Sequence, residues 1–112
     1  MSDFPDVPVS ALPDDARFLD IREQDEWDRG HAPNALHIPM NELPGRLDEL
    51  APLLEADGPV VVTCRSGGRV SRVLPWLEGN GYEVANLQGG MRAWHEAGRP
   101  MEAANGAEPQ VP

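Results

Sequence analysis

The 112-residue chain contains no lysine: all nine basic residues are arginine, set against nineteen acids, for a net charge of −10. Acid in that excess repels phosphate backbones and anionic headgroups, so neither nucleic acid nor a membrane surface is expected as a partner. Cysteine is nearly absent too. The single Cys64 has no partner for an internal disulfide, and no Cys/His cluster has zinc spacing, so no metal and no cofactor are expected. A lone free thiol persists in a reducing compartment, which makes the expected location cytoplasmic. No apolar run approaches the ~20 residues of a membrane span. The opening Met-Ser-Asp-Phe-Pro-Asp has neither the basic nor the apolar part of a secretory leader.

What is present suits one small domain. The length allows a single core, and 40% apolar residues supply it. Eleven Gly and twelve Pro imply many short elements and turns. The charge is also uneven. Residues 58–77 hold three Arg and no acid, +3, so the other 92 residues hold −13.

Strand and helix signals alternate along the chain. Phe18–Ile21 is a short apolar run, followed by a polar helical stretch from Glu23 to Arg29 with Trp27 as its buried side. Ala35–Ile38 is a second strand candidate. Leu43, Leu47, Leu50 and Leu54 recur at helical spacing, with Pro44 in the first turn and Pro52 expected to kink or end the helix. Pro59–Thr63 is the strongest strand signal, β-branched on both faces like a central strand covered on each side. Val70, Val73, Leu74 and Leu77 form a helical stripe, Val84–Leu87 a further strand, and Met91, Trp94 and Ala97 one face of a last helix. Such alternation predicts an α/β fold around a mainly parallel sheet. The boundaries read as an N-terminal extension over 1–7, with Val7 and Val9 a potential edge strand, a domain over 8–101, and a flexible tail over 102–112 that is poor in β-branched and aromatic residues.

Cys64 directly follows the central strand and opens the segment Cys64-Arg65-Ser66-Gly67-Gly68-Arg69. In open α/β sheets, ligands bind at the carboxyl ends of strands, before the next helix. Two glycines permit several backbone N–H groups to face one centre. The next helix adds its positive end, Arg65 and Arg69 flank the loop, and Arg72 lies one turn on. Each feature favours thiolate over thiol: a free Cys titrates near ~8.5, and cations or a helix N-terminus bring that to roughly 3.5–7.5. An ionised thiol needs no separate base, and the same cradle would hold an anionic sulfur or an oxyanion donor. A buried Cys is more often a small core residue, but core packing does not explain three Arg and two Gly around it. A phosphate loop of the G-x-x-x-x-G-K-[ST] kind is absent.

These residues resemble the single-domain, rhodanese-like sulfurtransferase family. Phe18-Leu19-Asp20-Ile21-Arg22-Glu23 is similar to the family's LDVRE segment, and Glu26-Trp27 with Arg29-Gly30-His31-Ala32-Pro33 to its E-[WY]…GHIPGA segment. Cys64–Arg69 resembles the active loop CRSGxR. Gly81-Tyr82, then Asn86–Met91 and Ala93-Trp94, resemble GY…NLxGGxxAW. Ala32 and Asn34 depart from the common Ile and Gly. Pro75 departs more, and implies a helix starting near Ser71 or a kink.

The resemblance implies a three-layer α/β fold of about five mainly parallel strands flanked by helices. It implies that Cys64 takes a sulfane sulfur from thiosulfate or a similar donor as a persulfide and passes it to a thiol, to cyanide or to a sulfur-acceptor protein. Arg65, Ser66, Gly67, Gly68 and Arg69 would bind the donor and wrap the persulfide, in a monomer or weak homodimer. Arg65 fits the thiosulfate-using branch better than the mercaptopyruvate branch. Related phosphatases use His-Cys-x5-Arg; here Thr63 precedes the Cys and only four residues separate Cys64 from Arg69, a smaller ring suited to one sulfur. The alternatives are a non-enzymatic or sulfur-relay partner-binding module, and a redox sensor that needs an outside thiol. Asp20, Arg22 and His31 read as structural, His37 and His95 show no partner pattern, and the three Trp read as core.

Overall fold

The computed structural model describes residues 4–55 and 58–112. Its strands and helices follow the expected alternation: β1 (Asp6–Val7), β2 (Leu19–Asp20), α1 (Gln24–Arg29), β3 (Leu36–His37), α2 (Ala51–Leu54), β4 (Val60–Thr63), α3 (Val70–Gly79), β5 (Val84–Leu87) and α4 (Gly90–Glu96). The five strands form one sheet in the order β1-β5-β4-β2-β3, and every pairing is parallel. The Val-rich segment is therefore the central strand, as its two-faced apolar character requires.

The period-two alternation of β4 sorts side chains into two cores. Val60 and Val62 face a cluster with Leu19, Ile21, Leu50, Val70, Val73, Leu74 and Leu77, which packs α3 on one side of the sheet. Val61 faces the other way, toward Phe18, Leu87, Met91 and Trp94, which pack α4 on the opposite side. Trp94 and Phe18 meet edge to face at 5.2 Å, and the indole N–H donates to the Pro100 carbonyl at 2.9 Å.

Several local expectations change. The leucine stripe does not make one helix. It breaks into 3-10 turns at Met40–Gly45 and Leu47–Leu50 before the single turn of α2, because Pro44 and Pro52 interrupt the bonding pattern. That change of pitch buries Leu53 and leaves Leu54 half exposed. Helix α3 starts at Val70, not later, and runs unbroken through Pro75, whose ring lies on the exposed face. Of the three Trp, only Trp94 is core. Trp76 is 37% exposed, and Trp27 is half-buried between the rings of His31 (3.8 Å) and His37 (4.5 Å). Both histidines have partners: His31 Nδ1–H donates to the Trp27 carbonyl at 2.8 Å and His37 Nε2–H to the Arg22 carbonyl at 2.7 Å.

At the N-terminus the expected edge strand forms at Asp6–Val7, within the extension, and bonds to β5, while Val9 lies in a 3-10 turn; positions 1–3 of that extension lie outside the described residues. The segment read as a loose tail lies along α1. Glu102 bridges His31, the Gln110 N–H donates to the Arg29 carbonyl at 2.8 Å, and Val111 packs on the α4-side core. Backbone pairing, which composition does not encode, holds it there. Among the described residues no helix is long and apolar enough to cross a membrane.

Candidate active site

Strand β4 ends at Thr63, and Cys64 is the next residue, at the carboxyl edge of the sheet's centre. Its side chain continues the Val60/Val62 face and is 1% exposed. The chain then turns through Arg65-Ser66-Gly67-Gly68 into α3. Gly67 sits at φ +118°, a conformation open to glycine and costly to other residues. The turn aims the Gly67 N–H at the sulfur, and it donates to Sγ at 3.1 Å. Of the several amides expected to converge, this is the one that reaches Sγ among the described residues. Ser71 fastens the loop to α3: its N–H donates to the Gly67 carbonyl at 3.2 Å and its hydroxyl to the Gly68 carbonyl at 2.7 Å.

The far side of the loop rests on α4. Met91 N–H donates to the Cys64 carbonyl at 2.8 Å, and Arg92 N–H to the Arg65 carbonyl at 3.0 Å. Gly90 makes this approach possible. Its φ is +61°, and a Cβ there would stand 2.6 Å from the Arg65 oxygen and 2.7 Å from the Cys64 oxygen. The Gly89-Gly90 pair, noticed in the sequence as motif alone, thus lets the start of α4 close against the loop from below.

Cys64, Arg65, Ser66, Gly68, Arg69 and Arg72 line one cavity of about 390 Å³. Five of the six residues singled out in the sequence meet there, and the sixth, Gly67, supplies the amide on sulfur. The three arginines are not equivalent. Arg69 is held by Glu26 through two hydrogen bonds of 2.5 and 2.8 Å. Glu26 also accepts the Glu23 N–H at 3.0 Å in the capping box of α1, so one carboxylate ends a helix and grips the loop. Among the described residues Arg65 and Arg72 form no ion pair, and Arg65 Nε is buried without a partner. The unpaired positive charge around the cavity therefore belongs to Arg65 and Arg72. The sequence places Glu26 only within the polar stretch from Glu23 to Arg29; the signal available for its role was its spacing from Glu23, which has the reach of a capping box.

Beneath Glu26 lies a second pair. Asp20 and Arg22, both fully buried, meet through Nε and Nη2, the closest contact being 2.7 Å, and Arg22 also donates to the Gly30 carbonyl at 2.8 Å. This ties the end of β2 to the exit of α1, which agrees with the structural role read from the sequence. Among the described residues no group of three or more His, Cys, Asp or Glu is placed to hold a metal ion.

The Arg69 hydrogen bonds, chiefly, hold the Glu26 carboxyl below its usual 4.5. A depressed carboxylate contributes stability above its unfolded value, and that stability is lost as pH falls through the lower folded value. Glu26→Gln is therefore expected to be less stable than wild type at pH 7, with the gap narrowing below about 4.5. Urea unfolding of both proteins from pH 7 to pH 3 checks this; an unchanged gap at pH 3 would refute the ion pair as its source.

Comparison with known proteins agrees with this geometry. The rhodanese-like domain model matches residues 9–97. The chain is 38% identical over 94 residues to a sulfurtransferase of Allochromatium vinosum, covering 83% of this chain and 84% of that protein. It is 35% identical over 102 residues to the tRNA uridine(34) hydroxylase of Erwinia tasmaniensis, where it spans 83% of this chain but 29% of the larger protein. The crystal structure of a rhodanese-related protein from Thermoplasma volcanium superposes with a TM-score of 0.73 at 26% identity, covering 88% of this chain and 98% of that one. The parallel five-stranded sheet, the Cys-led loop at its centre and these matches together show that the chain belongs to the rhodanese-like domain family.

Proposed function

We propose that the protein is a sulfurtransferase that carries sulfane sulfur on Cys64, with thiosulfate or a similar anion as donor. The observation that carries this reading is the position of Sγ: at the end of the central strand, under the Gly67 amide, on a cavity bordered by unpaired Arg65 and Arg72. In the first step the Cys64 thiolate attacks the outer sulfur of thiosulfate. The S–S bond of the donor breaks, sulfite leaves with the electron pair, and Cys64 becomes a persulfide. In the second step cyanide or a thiolate attacks the outer sulfur, and the Cys64 thiolate leaves. Charge builds on sulfur in both steps, where an oriented N–H and nearby guanidinium groups stabilise it without reorganising. Arg65, Ser66, Gly67, Gly68 and Arg69 form the wall around the transferred sulfur, and Arg69, held by Glu26, keeps that wall in place.

The acidic remainder of the chain weakens long-range attraction of a dianion, so donor capture falls to short-range contacts. Arg65→Ala is expected to raise the KM for thiosulfate about tenfold, the cost of one charge-assisted hydrogen bond. It should alter the lifetime of the loaded persulfide much less. Steady-state kinetics with thiosulfate and cyanide, paired with the decay of the isolated persulfide, separate the two effects; equal KM values would remove Arg65 from the donor site. A free thiol of this kind needs a reducing compartment, which supports a cytoplasmic location.

A further inference from the structure

Helix α3 carries the site's geometry outward. Arg69, at its cap, then Arg72, Val73 and Trp76 recur at i, i+3, i+4 and i+7, which places them on one face. Arg69 and Arg72 border the Cys64 cavity. Arg72, Val73 and Trp76 also form one wall of a second cavity of about 250 Å³, whose other wall is Met40, Leu43 and Pro44 from the 3-10 turn after β3. Arg72 is the residue common to both. An apolar groove with an aromatic wall thus adjoins the sulfur site, with an unpaired guanidinium at the junction.

We infer that this groove is the acceptor subsite, and that it selects a small aromatic thiol bearing an anionic group beside its sulfur. The inference rests on the sulfur-transfer reading of Cys64. Size sets the first part: a dry cavity of ~150 Å³ holds a benzene ring, so the groove takes one substituted ring. A protein partner is disfavoured because Trp76 and Leu54 are the only large apolar side chains exposed among the described residues, and Leu54 is not in the groove. A stable protein interface buries about 800 Å² on each partner. Charge sets the second part: with Arg72 between groove and sulfur, an anion next to the thiol meets the guanidinium, whereas one across the ring is pushed among Met40, Leu43 and Pro44. With the ring seated, the acceptor thiolate attacks the outer sulfur of the persulfide, the Cys64 thiolate leaves, and the product is an aryl persulfide.

The probes are 2-mercaptobenzoate, 4-mercaptobenzoate and 2-mercaptoethanol, offered to persulfide-loaded protein, with kcat/KM measured for wild type, Trp76→Ala and Arg72→Gln. Intrinsic reactivity cancels when each acceptor is compared between proteins. Trp76→Ala should lower the aryl-to-alkyl ratio about fivefold, the worth of an aromatic pair on a partly open indole. Arg72→Gln should lower the 2- to 4-mercaptobenzoate ratio about threefold, as suits a solvent-reachable ion pair. Ratios unchanged in both variants would overturn the groove, and persulfide loading of the wild type by thiosulfate would leave the sulfur-transfer reading standing. If thiosulfate adds no sulfur to the wild type, that reading fails instead. The groove is then scored by titrating 2-methylbenzoate against the Trp76 indole N–H resonance: a shift weakened in Arg72→Gln supports an aryl-anion site, and no shift overturns it.

Discussion

Cys64→Ser is expected to fold normally and to lose turnover with thiosulfate and cyanide by about four orders of magnitude or more, the scale seen when a covalent nucleophile is removed. The fold should survive because serine is slightly smaller than cysteine and its hydroxyl can accept the same Gly67 N–H that Sγ accepts at 3.1 Å. The chemistry should not survive, because a serine hydroxyl is un-ionised at neutral pH and forms no persulfide. Circular dichroism and a thermal melt establish the fold, and the coupled assay gives the rate. Retention of even a tenth of wild-type turnover in a folded Cys64→Ser protein would mean that sulfur passes through another group.

The second large effect lies outside the loop. Gly90→Ala is expected to destabilise the protein by about 3 kcal/mol or more, combining a non-glycine residue at positive φ with a steric overlap that backbone must absorb. The added methyl would stand 2.6 Å from the Arg65 oxygen and 2.7 Å from the Cys64 oxygen, so relief requires moving α4 away from the loop or the loop away from α4. Either movement breaks the Met91 and Arg92 hydrogen bonds that seat the Cys64 and Arg65 carbonyls. Loss of turnover should therefore accompany the drop in melting temperature. Gly79→Ala is the matched control: its methyl meets nothing within 4 Å at the end of α3, and it should be neutral or stabilising by up to about 1 kcal/mol. Equal melting temperatures for the two variants would remove Gly90 from its proposed buttressing role.

Much of this architecture was legible from local pattern. Val60-Val61-Val62 marked the central strand because a strand covered on both faces has no polar side to show, and the Cys-led loop had to follow it at the sheet's carboxyl edge. Asp20 and Arg22 were legible as structural, since charges at a strand end next to apolar neighbours are usually paired; that they pair with each other is visible only in the structure. What stayed hidden was long-range. Glu26 and Arg69 are 43 residues apart, and nothing in either segment names the other. Gly90 acts on carbonyls 25 and 26 positions away, through a contact that exists only after α4 has packed. Trp76 sits at helical spacing from Val73, and the spacing does not say that the opposite wall, broken into 3-10 turns by Pro44, stops short and leaves the indole partly open. The leucine stripe misled for the same reason: periodicity assumes a regular helix, and two prolines changed the pitch.

Sulfur transfer through this loop requires sulfur to reside at one atom, Cys64 Sγ, and intact-mass spectrometry reads that directly. Wild-type protein incubated with thiosulfate, then desalted, should gain the mass of one sulfur atom, lose it on adding cyanide, and show the modification on the peptide containing Cys64. Cys64→Ser should gain nothing under the same conditions. A wild-type mass that does not change, or a sulfur adduct that also appears on Cys64→Ser, would contradict the assignment of Cys64 as the sulfur carrier.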